Sequence, residues 1–322
     1  MLRLKSKITF NDTQIIEPLD FVNNVEIVSS WETFTDTATI TLPFKLKIDG
    51  KFVAVGDTAN TVFKRGDKVK IELGYVPNLT TIFEGYISSV GTDSPLVLQC
   101  QDASYLLKQK TITKSFKSTT LANLLNEVVT EIDTRAVDAE LGAFRLTRVN
   151  VIQVLDEIKK TYGLASFIRG GVLRSGLAYY PDEATENEFS FQSNVLTGSS
   201  LEFQRAEDVK IKVKAISIQP DNTKLEVEEG EEGGATRTLF AYNVTNESDL
   251  KKFAKAELEK FNFDGYRGEF ETFGEPVVKH GDFVNIKDAK FKEREGRYVV
   301  DQVTTTFGVD GYRQKIKLGE RN

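Results

Sequence analysis

The sequence predicts an α+β chain that is mainly β, with two similar antiparallel β-barrel domains flanking a small α+β domain. Three observations lead there. Short runs alternating polar and apolar residues with period two fill roughly the first hundred positions and return after about residue 200. Two amphipathic helical stripes lie between them. A Gly-Asp turn feeding an alternating strand occurs once in each β region, at Gly66-Asp67 and Gly281-Asp282. The 322 residues suit three units, drawn at 1–110, 111–195 and 196–322, the last with an inserted helix near 246–261.

In the first unit the strand-like runs are Val25 to Val28, Trp31 to Phe34, Ala38 to Leu42, Lys68 to Leu73, Ile82 to Ile87 and Leu96 to Cys100. Turn residues separate them at short intervals, as in antiparallel barrels and sandwiches. In the middle unit Leu121, Leu124, Leu125, Val128, Val129 and Ile132 form one helix face, with Ser118, Thr119 or Thr120 as N-cap. Val151, Val154, Leu155, Ile158 and Tyr162 form a second, with Asn150 as N-cap and Gly163 as its stop. Phe144 to Val149 reads as a strand, and Ala165 to Arg174 as a hairpin turning at Gly170-Gly171. In the last unit Val209 to Ile216 alternates cleanly with its lysines on one face, read as solvated, with a polyanion contact as the lesser option. The acidic, glycine-rich stretch Glu226 to Gly234 reads as an exposed hairpin loop, without the ligand spacing of a calcium loop. Leu250, Phe253, Ala254, Leu258 and Phe261 mark a third helix capped by Asn246.

Composition narrows the function classes. A net charge of −6 disfavours nucleic acid as the main partner, since phosphate binding needs a basic face. The single cysteine, Cys100, cannot form an internal disulfide, and its apolar surroundings read as structural. No apolar stretch approaches the ~20 residues that span a bilayer, and the N-terminal residues lack a signal-peptide core. The expectation is synthesis in a bacterial cytoplasm with no membrane insertion. His280 is the only histidine; it aligns with Arg65, and the position reads as generically basic and exposed. A Ser-His-Asp or Cys-His site would have to be built on it, and no Gly-x-Ser-x-Gly elbow is present. Nothing selects a carboxylate pair from 48 acidic residues. Catalytic, cofactor and metal residues are therefore expected to be none. Arg65-Gly66-Asp67 spells an adhesion tripeptide, but the turn accounts for it in both copies. Trp31 reads as a core aromatic beside Phe34 or as an interface anchor.

The internal repeat is the most informative feature. Residues 64–71 (Lys-Arg-Gly-Asp-Lys-Val-Lys-Ile) match 279–286 (Lys-His-Gly-Asp-Phe-Val-Asn-Ile). Each is followed by a glycine-aromatic strand, at Gly85-Tyr86 and at Gly296 to Tyr298, and then by a closing strand, Leu96 to Gln101 and Gln314 to Leu318. Three such chains around one axis would present six similar modules.

This organisation resembles the late control protein D and baseplate hub family of contractile-tailed phages, and the hub part of type VI secretion spike proteins. Three stretches carry the resemblance. Phe83 to Ile87 leads into Gln101-Asp102-Ala103-Ser104-Tyr105-Leu106-Leu107, similar to the family's barrel hairpin and "D-x-x-x-L-L" turn. Val151 to Leu164 looks like its helix-Tyr-Gly segment, followed by a hairpin ending at Tyr179-Tyr180-Pro181. Gly268 to Ile286 ends like its "P-x-x-x-x-G-D-x-V-x-I" passage. The resemblance implies a non-enzymatic homotrimeric ring of a phage or prophage tail baseplate. Its pseudo-six-fold symmetry would join a hexameric tail tube protein to a trimeric spike protein, beside other baseplate proteins. With no C-terminal spike or lysozyme extension in sight, the spike would be a separate chain. A rival of another class is a carbohydrate-binding or cell-wall-degrading tail protein.

Overall fold

The computed structural model describes residues 3–12, 14–16, 22–43, 45–48, 51–54, 63–196, 200–219, 221 and 223–322, with the backbone alone at 14–16, 45–48 and 51–54. Met1 and Leu2, which head the stretch read for a signal peptide, lie outside them. The chain is mainly β, 52% strand and 17% helix, with four helices among the described residues.

The N-terminal third contributes β1 (Leu4–Phe10), β2 (Gln14–Ile16), β3 (Asn24–Ser30), β4 (Thr37–Leu42), β5 (Lys45–Ile48), β6 (Lys51–Ala54), β7 (Lys68–Tyr75), β8 (Thr80–Val90) and β9 (Leu96–Gln101). The period-two runs behave as the pleat requires: Val69, Ile71 and Leu73 of β7 point inward while Lys68, Lys70 and Glu72 alternate with them. Trp31 to Phe34, read as a strand, is instead the bend joining β3 to β4. Only Trp31 and Phe34 of the four are apolar, and at a spacing of three they lack the period-two alternation of a strand.

The middle holds α1 (Ser104–Leu107), β10 (Ile112–Thr120), α2 (Leu121–Val128), β11 (Asp133–Ala136), β12 (Glu140–Val149), α3 (Val151–Tyr162), β13 (Ala165–Arg169) and β14 (Val172–Gly176). Thr120 caps α2 by accepting from the Asn123 amide. This helix ends at Val128, so Ile132 of the predicted stripe falls beyond it and packs from the following loop. Asn150 and Gln153 form a reciprocal capping box on α3, and Gly163 closes it at φ 68°. Buried Leu121, Leu124, Leu125, Val151, Leu155 and Ile158 bring the two helices into one core.

The C-terminal part comprises β15 (Glu186–Ser190), β16 (Ser200–Gln204), β17 (Ile211–Ile218), β18 (Lys224–Gly230), β19 (Ala235–Ala241), α4 (Glu247–Phe261), β20 (Gly265–Phe273), β21 (Phe283–Lys287), β22 (Gly296–Gly308) and β23 (Gly311–Arg321). β18, β17 and β19 form a separate three-stranded sheet, against which Leu250 and Ala254 of α4 pack. The acidic stretch read as a loop is largely β18: Glu226 and Glu228 pair across the strands with Lys214 and Lys212. The lysine face and the acidic run are thus two sides of one hairpin. Gly230 and Gly234 are needed where the chain passes under the start of β17, since a Cβ there would sit 2.3 Å from the Ile211 oxygen and 2.6 Å from the Lys210 oxygen.

The largest sheet runs β16-β20-β23-β22-β3-β4-β9-β8-β7-β1-β2-β5-β6, with β21 also on β22 and β15 on β21. Its path stays open among the described residues. It crosses from the C-terminal part to the N-terminal third where β22 pairs antiparallel with β3, from Gln302↔Ser30 to Gly308↔Asn24. Phe307 and Tyr312 are buried in the N-terminal core rather than in their own.

Candidate functional site

The short sequence repeat marks a much larger structural one. β3, β4, β7, β8 and β9 recur as β16, β20, β21, β22 and β23, in the same chain order. The antiparallel path β3-β4-β9-β8-β7 is matched by β16-β20-β23-β22-β21. Both fourth strands carry a register shift at the same place, between Ile87 and Ser89 and between Val300 and Gln302. The α4 unit is inserted between the first and second strands of the second copy.

The Gly-Asp turns agree bond by bond. In the first copy the Asp67 amide donates to the Lys64 oxygen, and the Lys64 amide to the Asp67 carboxylate. In the second, Asp282 and Lys279 make the same two bonds. The Gly66 and Gly281 amides donate to the Ile87 and Val300 oxygens, whose own amides donate to the Asp67 and Asp282 oxygens. Both glycines sit at positive φ, 93° and 79°, which accounts for the shared residue. A tyrosine lies beside each: the Tyr105 hydroxyl is 3.4 Å from where a Gly66 Cβ would be, and the Tyr179 Cβ is 3.4 Å from that of Gly281.

Their surroundings differ. The first turn is largely exposed, with Arg65 over the Tyr105 ring at 5.9 Å. The second is a docking point for the middle segment. Arg169 donates to Asp282 at 2.7 Å and to the His280 oxygen at 3.2 Å, and the Thr185 amide donates to Asp282. His280, read from sequence as exposed, is 2% exposed, and its ring stands edge-on to Phe167 at 4.8 Å. Burial, then the positive charges of Arg169, Lys279 and Arg174, lower its pKa to about 3, so it stays neutral at physiological pH. Alignment with exposed Arg65 misled because the middle segment covers only the second turn.

The junction between the copies gathers polar groups that motif reading passed over. Trp31 donates from Nε1 to Asp301 at 2.8 Å, and the Ser30 hydroxyl to the Asp301 carbonyl. Trp31 therefore anchors an interface inside the chain, while Phe34 packs toward the middle core. Lys317 pairs with Glu32 at 2.7 Å, and Lys159 of α3 donates to the Glu32 carbonyl. Nearby, Asp36 accepts from Ser29 and Ser30, and its amide donates to Asp102 at 3.3 Å. Part of Asp36 reaches solvent, yet its carboxyl is enclosed; burial and then the Asp102 charge hold it well above the usual carboxylate range. Burial raises Asp102 as well. Asp102 heads the quoted "D-x-x-x-L-L" turn, accepting from the Ser104 amide at the start of α1. A cleft of about 710 Å³ opens here, lined by Asp36, Asp102, Ile168, Arg169, Val278 and His280 among others. Cys100 is buried in β9, with its thiol pushed up to about 12 by desolvation.

The fold is shared with phage tail proteins and with a type VI secretion component. The chain is similar over 99% of its length to 97% of a tail protein from Neisseria meningitidis, with a TM-score of 0.67 at 13% identity. It matches 97% of the 43 kDa tail protein of prophage MuSo2 from Shewanella oneidensis over 98% of its own length, with a TM-score of 0.63 at 14% identity. A component of the E. coli type VI secretion system, itself structurally similar to T4 bacteriophage tail proteins, is matched over 94% of this chain and 74% of its own, with a TM-score of 0.58 at 8% identity. The resemblance to the baseplate hub family thus holds at the level of the fold. No protein-family model and no curated protein matches the chain. Among the described residues no helix is long and apolar enough to cross a membrane.

Proposed function

We propose that this chain is a structural hub of a phage-tail baseplate, or of a related prophage-derived injection machine. Three copies form a ring that joins a hexameric tail tube to a trimeric spike. The observation that carries the reading is the five-strand repeat, which gives each chain two equivalent modules within a fold shared with tail proteins. Three chains then present six modules, a surface near six-fold toward the tube and three-fold toward the spike. The units at 1–110, 111–195 and 196–322 are the two barrel-like modules and the α+β connector between them. The role is mechanical: load passes through interlocked sheets and large interfaces, and needs no turnover. The protein resides in the virion baseplate after synthesis in the bacterial cytoplasm.

Co-expression with the tube and spike proteins of the same particle tests this reading. The expected product is one complex that contains both partners and three copies of this chain. Failure to associate with either partner would overturn the reading.

A further inference from the structure

The two copies of the repeat match in their internal pairing but not at their edges. In each copy the Gly-Asp turn ends the third strand's hold on the fourth at one residue, Ile87 or Val300. Beyond that residue the same edge continues. In the second copy it is filled, because Gln302 to Gly308 of β22 pairs with β3. In the first copy the corresponding edge begins at Ser88, and no described strand pairs with it there. The first strands show the converse. The outer edge of β3 is taken by β22, whereas β16 stands at the end of the sheet path with its outer edge unpaired among the described residues. One chain therefore carries a completed junction between copies, plus both halves of a second one, on β8 and β16.

We infer that a second copy of this chain completes that junction, with β16 of one copy adding to Ser88–Gly91 of the next as β3 adds to β22 within the chain. The inference rests on the ring reading above and names the interface that closes it. Register carries over directly. Ser89 corresponds to Gln302, each lying just past the register shift, and their β9 and β23 partners are Gln99 and Lys317. Those partners face Thr39 and Glu269, which in turn face Glu26 and Ser200. Glu26 therefore corresponds to Ser200, and Ser30 to Gln204. Since Ser30 faces Gln302, Gln204 of one copy faces Ser89 of the next, Phe203 faces Val90 and Glu202 faces Gly91. The β8–β9 hairpin turns after Val90 while β22 runs on to Gly308, so this ladder is shorter than the internal one. Pairing of this kind is head-to-tail: each copy gives one edge and receives another, and a ring results when the rotation closes. It also covers an edge that would otherwise offer its backbone to any strand.

The test is oxidative cross-linking of the isolated oligomer carrying Gln204→Cys together with Ser89→Cys. The native thiol does not compete, being buried in β9. Covalent dimers and larger species are expected from the double variant, and none from either single variant. Hydrogen exchange on the unmodified protein gives a second reading that needs no substitution: peptides spanning Ser88–Gly91 and Ser200–Gln204 should exchange more slowly in the oligomer than in dissociated chains. An oligomer of unchanged mass with no cross-link and no slowed exchange overturns the edge pairing and leaves the hub reading standing. A chain that stays monomeric even with its tube and spike partners overturns both.

Discussion

Asp36 and Asp102 meet where the first copy of the repeat hands the chain to α1, and His280 lies where the second copy receives the middle segment. Their titrations act in opposite directions. Asp36 holds its proton above the ordinary value of 3.8, so between that value and about 8 the folded chain binds more protons than the unfolded one, and stability falls as pH rises through this window. Asp36→Asn should flatten that loss, read as the urea midpoint against pH; an unchanged slope would contradict the assignment. His280 is depressed from 6.5 to about 3, so its contribution is full above 6.5 and is lost as pH falls toward 3. His280→Leu should remove this acid-side loss, because its Nδ1 finds no partner among the described residues. The two Gly-Asp turns give a matched pair. Asp282 is 2% exposed and holds Arg169, so Asp282→Asn should cost about 3–5 kcal/mol, as breaking a buried ion pair does. Asp67→Asn at the exposed turn should cost only about 1 kcal/mol, the worth of an ordinary hydrogen bond. Equal costs in denaturant unfolding would mean that the middle segment does not grip the second turn.

Among the elements, α3 was the most legible in the sequence. A polar cap, a five-residue apolar stripe and a glycine stop are local signals, and all three fall where they were read. Asn150→Ala should lower stability by about 1 kcal/mol through loss of the capping box. Gly163→Ala should cost more, because the residue is at φ 68° and a Cβ would meet the Phe240 ring at 2.3 Å. Thermal unfolding of the two variants checks the order, and a milder effect at Gly163 would contradict it. The β17–β18 hairpin was legible as a strand followed by a charged run, but not as one charge-matched element. Its lysine–glutamate pairs join residues 12 to 16 positions apart, and register is invisible until the turn is known. α2 was read too long because Val129 and Ile132 keep the apolar period after the helix has stopped; both serve the same core from the loop. His280, Asp301 and Asp36 were missed as junction residues for a related reason. Each owes its environment to a partner at least 66 residues away, Asp102, Arg169 or Trp31, and no local pattern encodes such a distance.

At the scale of the whole molecule, the eight-residue likeness in the sequence was the visible tip of a five-strand repeat. Its Gly-Asp turn survives as a motif because positive φ and a side chain that bonds back to the backbone admit few residues, while the other strands need only keep an apolar face. The junction β22–β3 then does within one chain what the ring reading asks of neighbouring chains, and Trp31, Glu32 and Lys317 fasten it. On the proposed ring, the chain carries its assembly geometry in its own fold. The most direct measurement of that claim is the mass in solution, by light scattering on a sizing column over a range of concentrations, alone and with the tube and spike proteins. The account predicts three times 36.1 kDa for this component, reached at least in the presence of its partners. A mass of one chain under every condition, or a stable even-numbered assembly, would contradict it.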